Sequence, residues 1–254
     1  MASTPSHDGI ALVGFDADDT LWRSQEYFDA AQAQFEQILS AYVDLDDVLQ
    51  RLYDYEARNI AIFGYGVKGM ALSMVEAAVE ITQGRISATD IHRIVALAKT
   101  LLQHPVALLD GVHAAVTAVA ARYPVVLITK GDLFHQEAKV RQSGLAELFR
   151  RIEVVSEKDP PTYARLLEEF GIPAHRFLMV GNSLRSDIAP VLALGGYGVH
   201  VPYHTTWQHE AGARIDAGRE RMRTVASLME LPDAIASLDA QARATPLSTQ
   251  ETAA

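Results

Sequence analysis

Five short apolar runs punctuate the chain: residues 10–15, 125–128, 152–155, 177–180 and 197–201. Each is continuous rather than alternating, the pattern of strands buried on both faces. Between the last four lie helical patterns with legible ends. Pro160 and Pro161 open one, Gly171 closes it after YARLLEEF, and Gly144 closes another after LFHQEAKVRQS. Strand, helix, strand at this spacing predicts an α/β fold, a Rossmann-like, doubly wound parallel sheet with helices on both faces.

About a hundred residues separate the first run from the second, and they carry the helical period almost throughout. Phe28, Ala31, Phe35, Ile38, Leu39 and Tyr42 fall on one face. Ile91, Ile94, Val95, Ala98, Leu101 and Leu102 fall on another, and Pro105 closes that pattern. The one strand-like stretch among them is RNIAIF. The pattern predicts an all-helical domain, residues 23–108, inserted into a core of residues 1–22 and 109–238. The closing segment 239–254, DAQARATPLSTQETAA, lacks apolar periodicity and reads as a mobile, disordered tail.

Charge and composition exclude several partners. With 254 residues, 49% hydrophobic and 21% charged, the chain is long enough to bury roughly 70–75% of its unfolded surface. A formal net charge of −10 without a basic run argues against nucleic acid. Absence of cysteine excludes disulfides and thiolate metal sites, and the opening MASTPSHDGIALV is not patterned as a signal peptide. No apolar stretch approaches the ~20 residues of a membrane span. A cytoplasmic protein, monomeric or homodimeric and without membrane contact, is expected.

The chemistry gathers at the ends of the apolar runs. GFDADDTLW, residues 14–22, sets three aspartates in four positions after the first run, where their mutual repulsion calls for a cation or shared protons. Thr129 follows the second run, Ser156 to Lys158 the third, and Asn182 to Asp187 the fourth. In an open α/β sheet these carboxyl ends face one ligand-binding crevice. Acidic groups there suit Mg²⁺, while Thr129 and Lys158 suit a phosphate that the metal also touches.

These motifs, DADDT (16–20), LITKGD (127–132), Lys158 in SEKDPPTYARLL and VGNSLRSD (180–187), taken in this order, make the sequence resemble the haloacid dehalogenase superfamily on its phosphatase branch. The helical insert stands where that family carries a cap. The resemblance implies Asp16 as a nucleophile forming an aspartyl-phosphate, Asp18 as general acid and then base, and Thr129 and Lys158 as phosphate holders. It implies Mg²⁺ as cofactor, held at Asp16, at Asp18 through its backbone carbonyl, and at the fourth motif. There we expect Asn182 as direct ligand and Asp187 orienting from behind it. An acid at position 18 also speaks against the dehalogenase branch, since a departing halide needs no proton. The function expected is hydrolysis of a small phosphorylated metabolite. Three positions depart from the family pattern: Asp19 where glycine is common, Asn182 in place of an aspartate, and Lys130 after Thr129, which we assign to phosphate or substrate binding.

Other readings compete. An isolated D-x-D is a polar turn, Lys158 alone a surface lysine paired with Glu157, and Asn182 and Ser183 a helix N-cap. A phospho-acceptor or phosphotransferase protein of the same fold would use similar residues, although receiver domains of ~120 residues lack so long an insert. GYGVKG (64–69) with Asp90 matches the dinucleotide fingerprint of an oxidoreductase literally, but the second strand is missing and the glycines suit a tight interhelical turn. His200, His204 and His209 do not match a zinc spacing and read as part of a loop at the crevice mouth. In the insert, Tyr65, Lys68 and Arg58 are expected to face the crevice, with hinges near Trp22 and Leu109.

Overall fold

Six parallel strands form one sheet in the order β3-β2-β1-β4-β5-β6 in a computed structural model that describes residues 9–215 and 217–244. The strands are β1 (Leu12–Phe15), β2 (Val125–Lys130), β3 (Arg151–Val155), β4 (Phe177–Gly181), β5 (Tyr197–His200) and β6 (Met222–Thr224). Successive side chains on a strand point to opposite faces, and here both faces are covered. Val13, Phe15, Leu127, Leu178 and Val180 pack against Val112, Val116 and Val119 of α5 (Val112–Ala120) and Leu231, Ile235 and Leu238 of α9 (Leu231–Ala244). Leu12, Val126, Ile128, Phe177 and Met179 pack on the other face against Tyr163, Leu166 and Leu167 of α7 (Pro160–Phe170) and Val191 of α8 (Ala189–Ala193). Burial on both sides is why the runs of β1, β2, β4 and β5 are continuous; β3 corrects that expectation, since it lies at the sheet edge with Arg151 and Ile152 exposed and Glu153 and Val154 half-buried. The edge strand β6, with its sequence MRT, carried no such signal.

Four helices lie between β1 and α5: α1 (Gln25–Leu39), α2 (Val48–Phe63), α3 (Val67–Ile81) and α4 (Ala88–Leu102). They enclose a separate apolar cluster around Phe35, Leu39, Leu52, Met74 and Ile94. RNIAIF is the end of α2 rather than a strand, because Leu52, Glu56 and Asn59 give the segment a buried helical face. Ser87 caps α4 by accepting from the Asp90 N–H at 3.0 Å. The chain enters and leaves the four-helix unit side by side: Arg23 donates to the Ala107 carbonyl (3.0 Å) and Leu109 to the Leu21 carbonyl (2.9 Å).

One expectation is corrected here. Residues 239–244 are not a tail but the last turns of α9, held by polar burial that apolar periodicity does not register. Asp239 accepts from the Ile10 N–H at 2.7 Å and from the Tyr123 hydroxyl at 3.2 Å, and Arg243 pairs with it at 3.1 Å. Residues 245–254 of the expected tail lie outside the described residues. Between β3 and β5, Gly171 and α7 fit expectation: Asp159 caps the helix, prolines occupy its first turn and Gly171 ends it in the left-handed conformation. Among the described residues no helix is long and apolar enough to cross a membrane.

Candidate active site

The first strand hands its chain to the crevice at Asp16, whose N–H donates to the Val180 carbonyl of the neighbouring strand at 2.9 Å. The carboxylate is buried and faces Lys158, which follows β3. The Lys158 ammonium donates to Asp16 Oδ1 and, at 2.7 Å, to Asp187 Oδ1. Burial and the charge of Asp187 push the Asp16 carboxyl up to about 7, against the pull of Lys158. Burial opposes the Lys158 charge, yet the two carboxylates outweigh it and the ammonium is held more firmly than usual. The arrangement is therefore a buried cation between two acids, and added positive charge would favour the ionised form of Asp16. Thr20 donates to Asp16 Oδ2 at 3.1 Å and accepts from the Asn182 N–H at 2.9 Å, tying the first motif to the fourth.

Asp18 is bound quite differently. Its carboxylate accepts from Lys139 of α6 (Leu133–Ser143) at 2.6 and 2.8 Å, from Gln136 at 3.0 Å and from the Trp22 indole at 2.6 Å. Burial would raise its pKa, but Lys139 and these donors hold the group below the usual carboxylate range. As arranged it is an ionised acceptor. To give a proton to a leaving group it must first part from Lys139. The Asp18 side chain is directed to α6, which leaves its backbone carbonyl as the group it can offer a cation. Gln136 also donates to Thr129 Oγ1 at 2.9 Å, so one amide orients residues from two motifs.

Asp19 sits at φ +60°, in the left-handed region where glycine is favoured. The aspartate has its own use: its Oδ1 accepts from Ser24 N (2.8 Å) and Gln25 N (3.0 Å), capping α1. Burial nevertheless pushes this carboxyl up to about 7, so it adds less charge to the loop than the sequence suggests.

The fourth motif leaves β4 at Gly181, where a Cβ would come 2.2 Å from Asp187 Oδ2. That absence of a side chain lets Asp187 fold back onto the strand end. Its two oxygens are taken by Lys158 and by the Ser183 N–H (2.9 Å), and the residue is 1% exposed. Ser183 caps the π-helical turn Leu184–Ile188, accepting from Ser186 N. Asn182 is half-buried, with Oδ1 3.2 Å from the Thr20 hydroxyl, whose single proton it can share only in alternation with Asp16, and the backbone carbonyl paired with His200 Nε2 at 3.0 Å.

Among the described residues no three His, Cys, Asp or Glu side chains gather as a metal-holding group. The oxygen donors present still fit Mg²⁺, which keeps several waters and is commonly held by one or two carboxylates: Asp16, the Asp18 carbonyl, and Asn182, with Asp187 behind.

All the residues singled out for chemistry, Asp16, Asp18, Thr129, Lys130, Lys158, Asn182 and Asp187, line one cavity between the sheet edge and the helical unit. Its empty space, open mouth included, is about 1190 Å³. Lys130 is heavily engaged there. It donates to Glu210 at 2.6 Å, Ser186 at 3.0 Å and Glu157 at 3.4 Å, and lies over the Tyr65 ring. Tyr65 reaches the crevice as expected, donating to Glu157 at 2.6 Å. Lys68 pairs with Asp132 at 3.0 Å and does not line the cavity, and Arg58 stacks on Tyr55 and lines a different depression, correcting the expected position of both. The three histidines go to separate partners: His200 to Asn182, His204 to Glu26 at 3.2 Å, His209 to Tyr65 at 3.4 Å. Trp207 and Glu210 line the cavity mouth.

Sequence reasoning missed Gln136, Lys139, Thr20 and Glu210. Gln136 and Lys139 are three apart and share a helix face, but nothing local says that this face meets Asp18. Thr20 lay inside the first motif without a role. Glu210, pulled down to about 2 by Lys130 and its hydroxyl partners against the effect of burial, carried no signal at all.

Comparison with known proteins shows the family. The family model of haloacid dehalogenase-like hydrolases matches residues 10–195. No curated protein matches the chain. Among solved structures, a haloacid dehalogenase-like family hydrolase from Xanthomonas campestris is 56% identical, with TM-score 0.84 over 93% of this chain and 94% of that one. Two more distant structures share the fold: 2-haloacid dehalogenase from Pseudomonas syringae pv. tomato DC3000 (21% identity, TM-score 0.61, 90% and 99% covered) and a predicted phosphoglycolate phosphatase from Haemophilus somnus 129pt (16%, 0.59, 91% and 99%). With four ordered motifs meeting in one crevice and the family model spanning most of its length, the chain belongs to the haloacid dehalogenase-like hydrolases.

Proposed function

We propose that this hydrolase is a Mg²⁺-dependent phosphomonoesterase that cleaves a small phosphorylated metabolite through an aspartyl-phosphate on Asp16. The observation that carries this reading is the pairing of two chemically distinct acids in one cavity: Asp16 against Lys158 and Asp187, and Asp18 two residues on against Lys139 and Gln136. Halide departure has no use for the second acid. Ester cleavage has, because an alkoxide must be protonated.

The Asp16 carboxylate attacks phosphorus, forming the acyl-phosphate bond as the bond to the leaving alcohol breaks, which divides one hard displacement into two easier ones. The Lys158 ammonium keeps one N–H beyond those given to Asp16 and Asp187, and this donor meets a phosphoryl oxygen. The Thr129 hydroxyl, oriented by Gln136, offers a second contact. Once its contact with Lys139 opens, Asp18 takes up a proton from solvent and delivers it to the leaving oxygen, and the carboxylate so regenerated takes a proton from the water that attacks the acyl-phosphate phosphorus. Mg²⁺, held by Asp16, the Asp18 carbonyl and Asn182, would supply charge neutralisation for carboxylate and phosphoryl oxygens.

Phosphate release from p-nitrophenyl phosphate and alkyl phosphates, measured with Mg²⁺ and with EDTA, tests this. Release that depends on Mg²⁺ supports it. Metal-independent halide release from 2-haloacids, without phosphate release from any ester, contradicts it.

A further inference from the structure

The cavity has a second end, built by the helical unit. There Phe28 and Gln32 of α1, Glu56 and Asn59 of α2, and Met70 and Ser73 of α3 line it. Glu56 is 6% exposed. One of its oxygens receives a long contact from Gln32 Nε2 at 3.4 Å, and the other, Oε1, has no hydrogen-bond partner among the described residues. A buried carboxyl with an unsatisfied oxygen is costly in either protonation state, since the acid lacks an acceptor and the carboxylate lacks a donor. Burial alone pushes it up to about 7, with only Gln32 opposing. Such a group calls for a partner that the described residues do not supply.

Its surroundings say which kind of ligand. The Asn59 amide nitrogen is committed to Ser73 Oγ (3.2 Å) and Glu76 (2.6 Å), and the Ser73 hydroxyl donates to the Gly69 carbonyl (2.9 Å). What Asn59 can still offer is its carbonyl oxygen. Apart from the amide of Gln32, this end therefore presents the acceptors of Glu56 and Asn59, and no Lys, Arg or His of the helical unit lines the cavity. The opposite end holds Lys130, Lys139 and Lys158. One cavity thus carries cations where a phosphate would sit and acceptors where the remainder of the molecule would extend.

We infer that Glu56, with Asn59, is the specificity-determining acceptor for the leaving group, and that the substrate is a phosphomonoester whose alcohol carries a hydrogen-bond donor, an ammonium or a hydroxyl, at its far end. The inference rests on the phosphomonoesterase reading and adds a substrate class to it. Phe28 and Met70 supply apolar walls for the carbon chain between the two ends. A site built to bind a donor rejects the analogue lacking one strongly, because its buried acceptors are then left unpaired.

The test is a series of ω-amino, ω-hydroxy and plain n-alkyl phosphates matched in chain length, assayed with Mg²⁺ on wild type, Glu56→Gln and Glu56→Leu. The readout is the ratio of kcat/KM for each donor-bearing ester to its alkyl counterpart, with circular dichroism reporting folding. Wild type should favour one donor-bearing series by roughly 100-fold or more at the best chain length, and Glu56→Leu should bring that ratio close to one. Glutamine keeps an acceptor oxygen but no charge: a ratio surviving in Glu56→Gln identifies the hydroxyl class, and a ratio lost there identifies the ammonium class. Hydrolysis of every series with equal efficiency, or a preference unchanged in Glu56→Leu, overturns the inference and leaves the phosphomonoesterase reading standing. Failure to release phosphate from any ester, p-nitrophenyl phosphate included, overturns both.

Discussion

At the scale of single residues, Asp16 and Asp18 of the first motif are separated by their partners rather than by their chemistry. Asp16 faces a buried ammonium shared with Asp187, while Asp18 is held ionised by Lys139, Gln136 and Trp22. The proposed division of labour predicts that Asp18→Asn is more damaging for an alkyl phosphate than for p-nitrophenyl phosphate. Nitrophenolate leaves without a proton and an alkoxide does not, so the drop in the rate of Asp16 phosphorylation should differ by ~10²-fold or more between them, the ordinary scale of general acid help. Equal losses in single-turnover assays would remove Asp18 from the acid role. Glu56 supports a prediction about pH. Its folded pKa, about 7, lies above the unfolded 4.5. Between those values the unfolded chain releases the proton that the folded chain retains, so stability falls as pH rises from about 4.5 through 7 and levels off beyond. This loss amounts to about 3 kcal/mol and should vanish in Glu56→Gln. Urea titrations of both proteins at pH 5 and 8 compare the slopes, and parallel curves would contradict the burial argument.

At the scale of elements, what was legible in the sequence follows from what kind of burial each element has. β1, β2, β4 and β5 are buried among apolar side chains on both faces, and their continuous runs say so; β3, at the sheet edge, is buried only at its Val155 end. β6 is a three-residue edge whose residues are half-buried or exposed, and it has no run to show. The end of α9 escaped for a related reason: Asp239 is buried by hydrogen bonds, which hydrophobic periodicity does not count. Asp239→Ala removes the acceptor of the Ile10 N–H and the partner of Tyr123 and Arg243. It should lower stability by about 1–3 kcal/mol, the penalty of an orphaned buried donor, as read from urea denaturation; no change would return residues 239–244 to the status of a dispensable tail. The glycine-rich turn between α2 and α3 is an element with two requirements. Gly66 has φ +102°, and a Cβ there would stand 3.2 Å from the Asp132 N of the loop after β2. Gly66→Ala should therefore cost about 1–3 kcal/mol in strain and displace Tyr65 from Glu157, lowering activity on a cap-recognised ester; a variant with wild-type melting and kinetics would show that the turn has slack.

At the scale of the whole molecule, the carboxyl ends of the strands supply Asp16, Thr129, Lys158 and Asn182 to the cavity, and an inserted helical unit lines the rest of it. The sheet edge was readable because Asp16, Thr129, Lys158 and Asn182 each follow an apolar run. The partnerships across it were not, since Lys139 meets Asp18, and Glu210 meets Lys130, only after distant segments have packed. The end of the cavity lined by the helical unit was less readable still: Glu56, Asn59 and Ser73 lie on helix faces whose sequence shows only amphipathicity. The central claim concerns Asp16, and the most direct measurement is Mg²⁺-dependent phosphate release by Asp16→Asn beside wild type, with halide release from 2-haloacids followed in parallel. The account predicts that wild type releases phosphate and no halide, and that Asp16→Asn, which keeps the shape and removes the nucleophile, loses about four orders of magnitude or more. An Asp16→Asn variant that keeps most of its phosphate release would contradict it, as would a wild type that releases only halide.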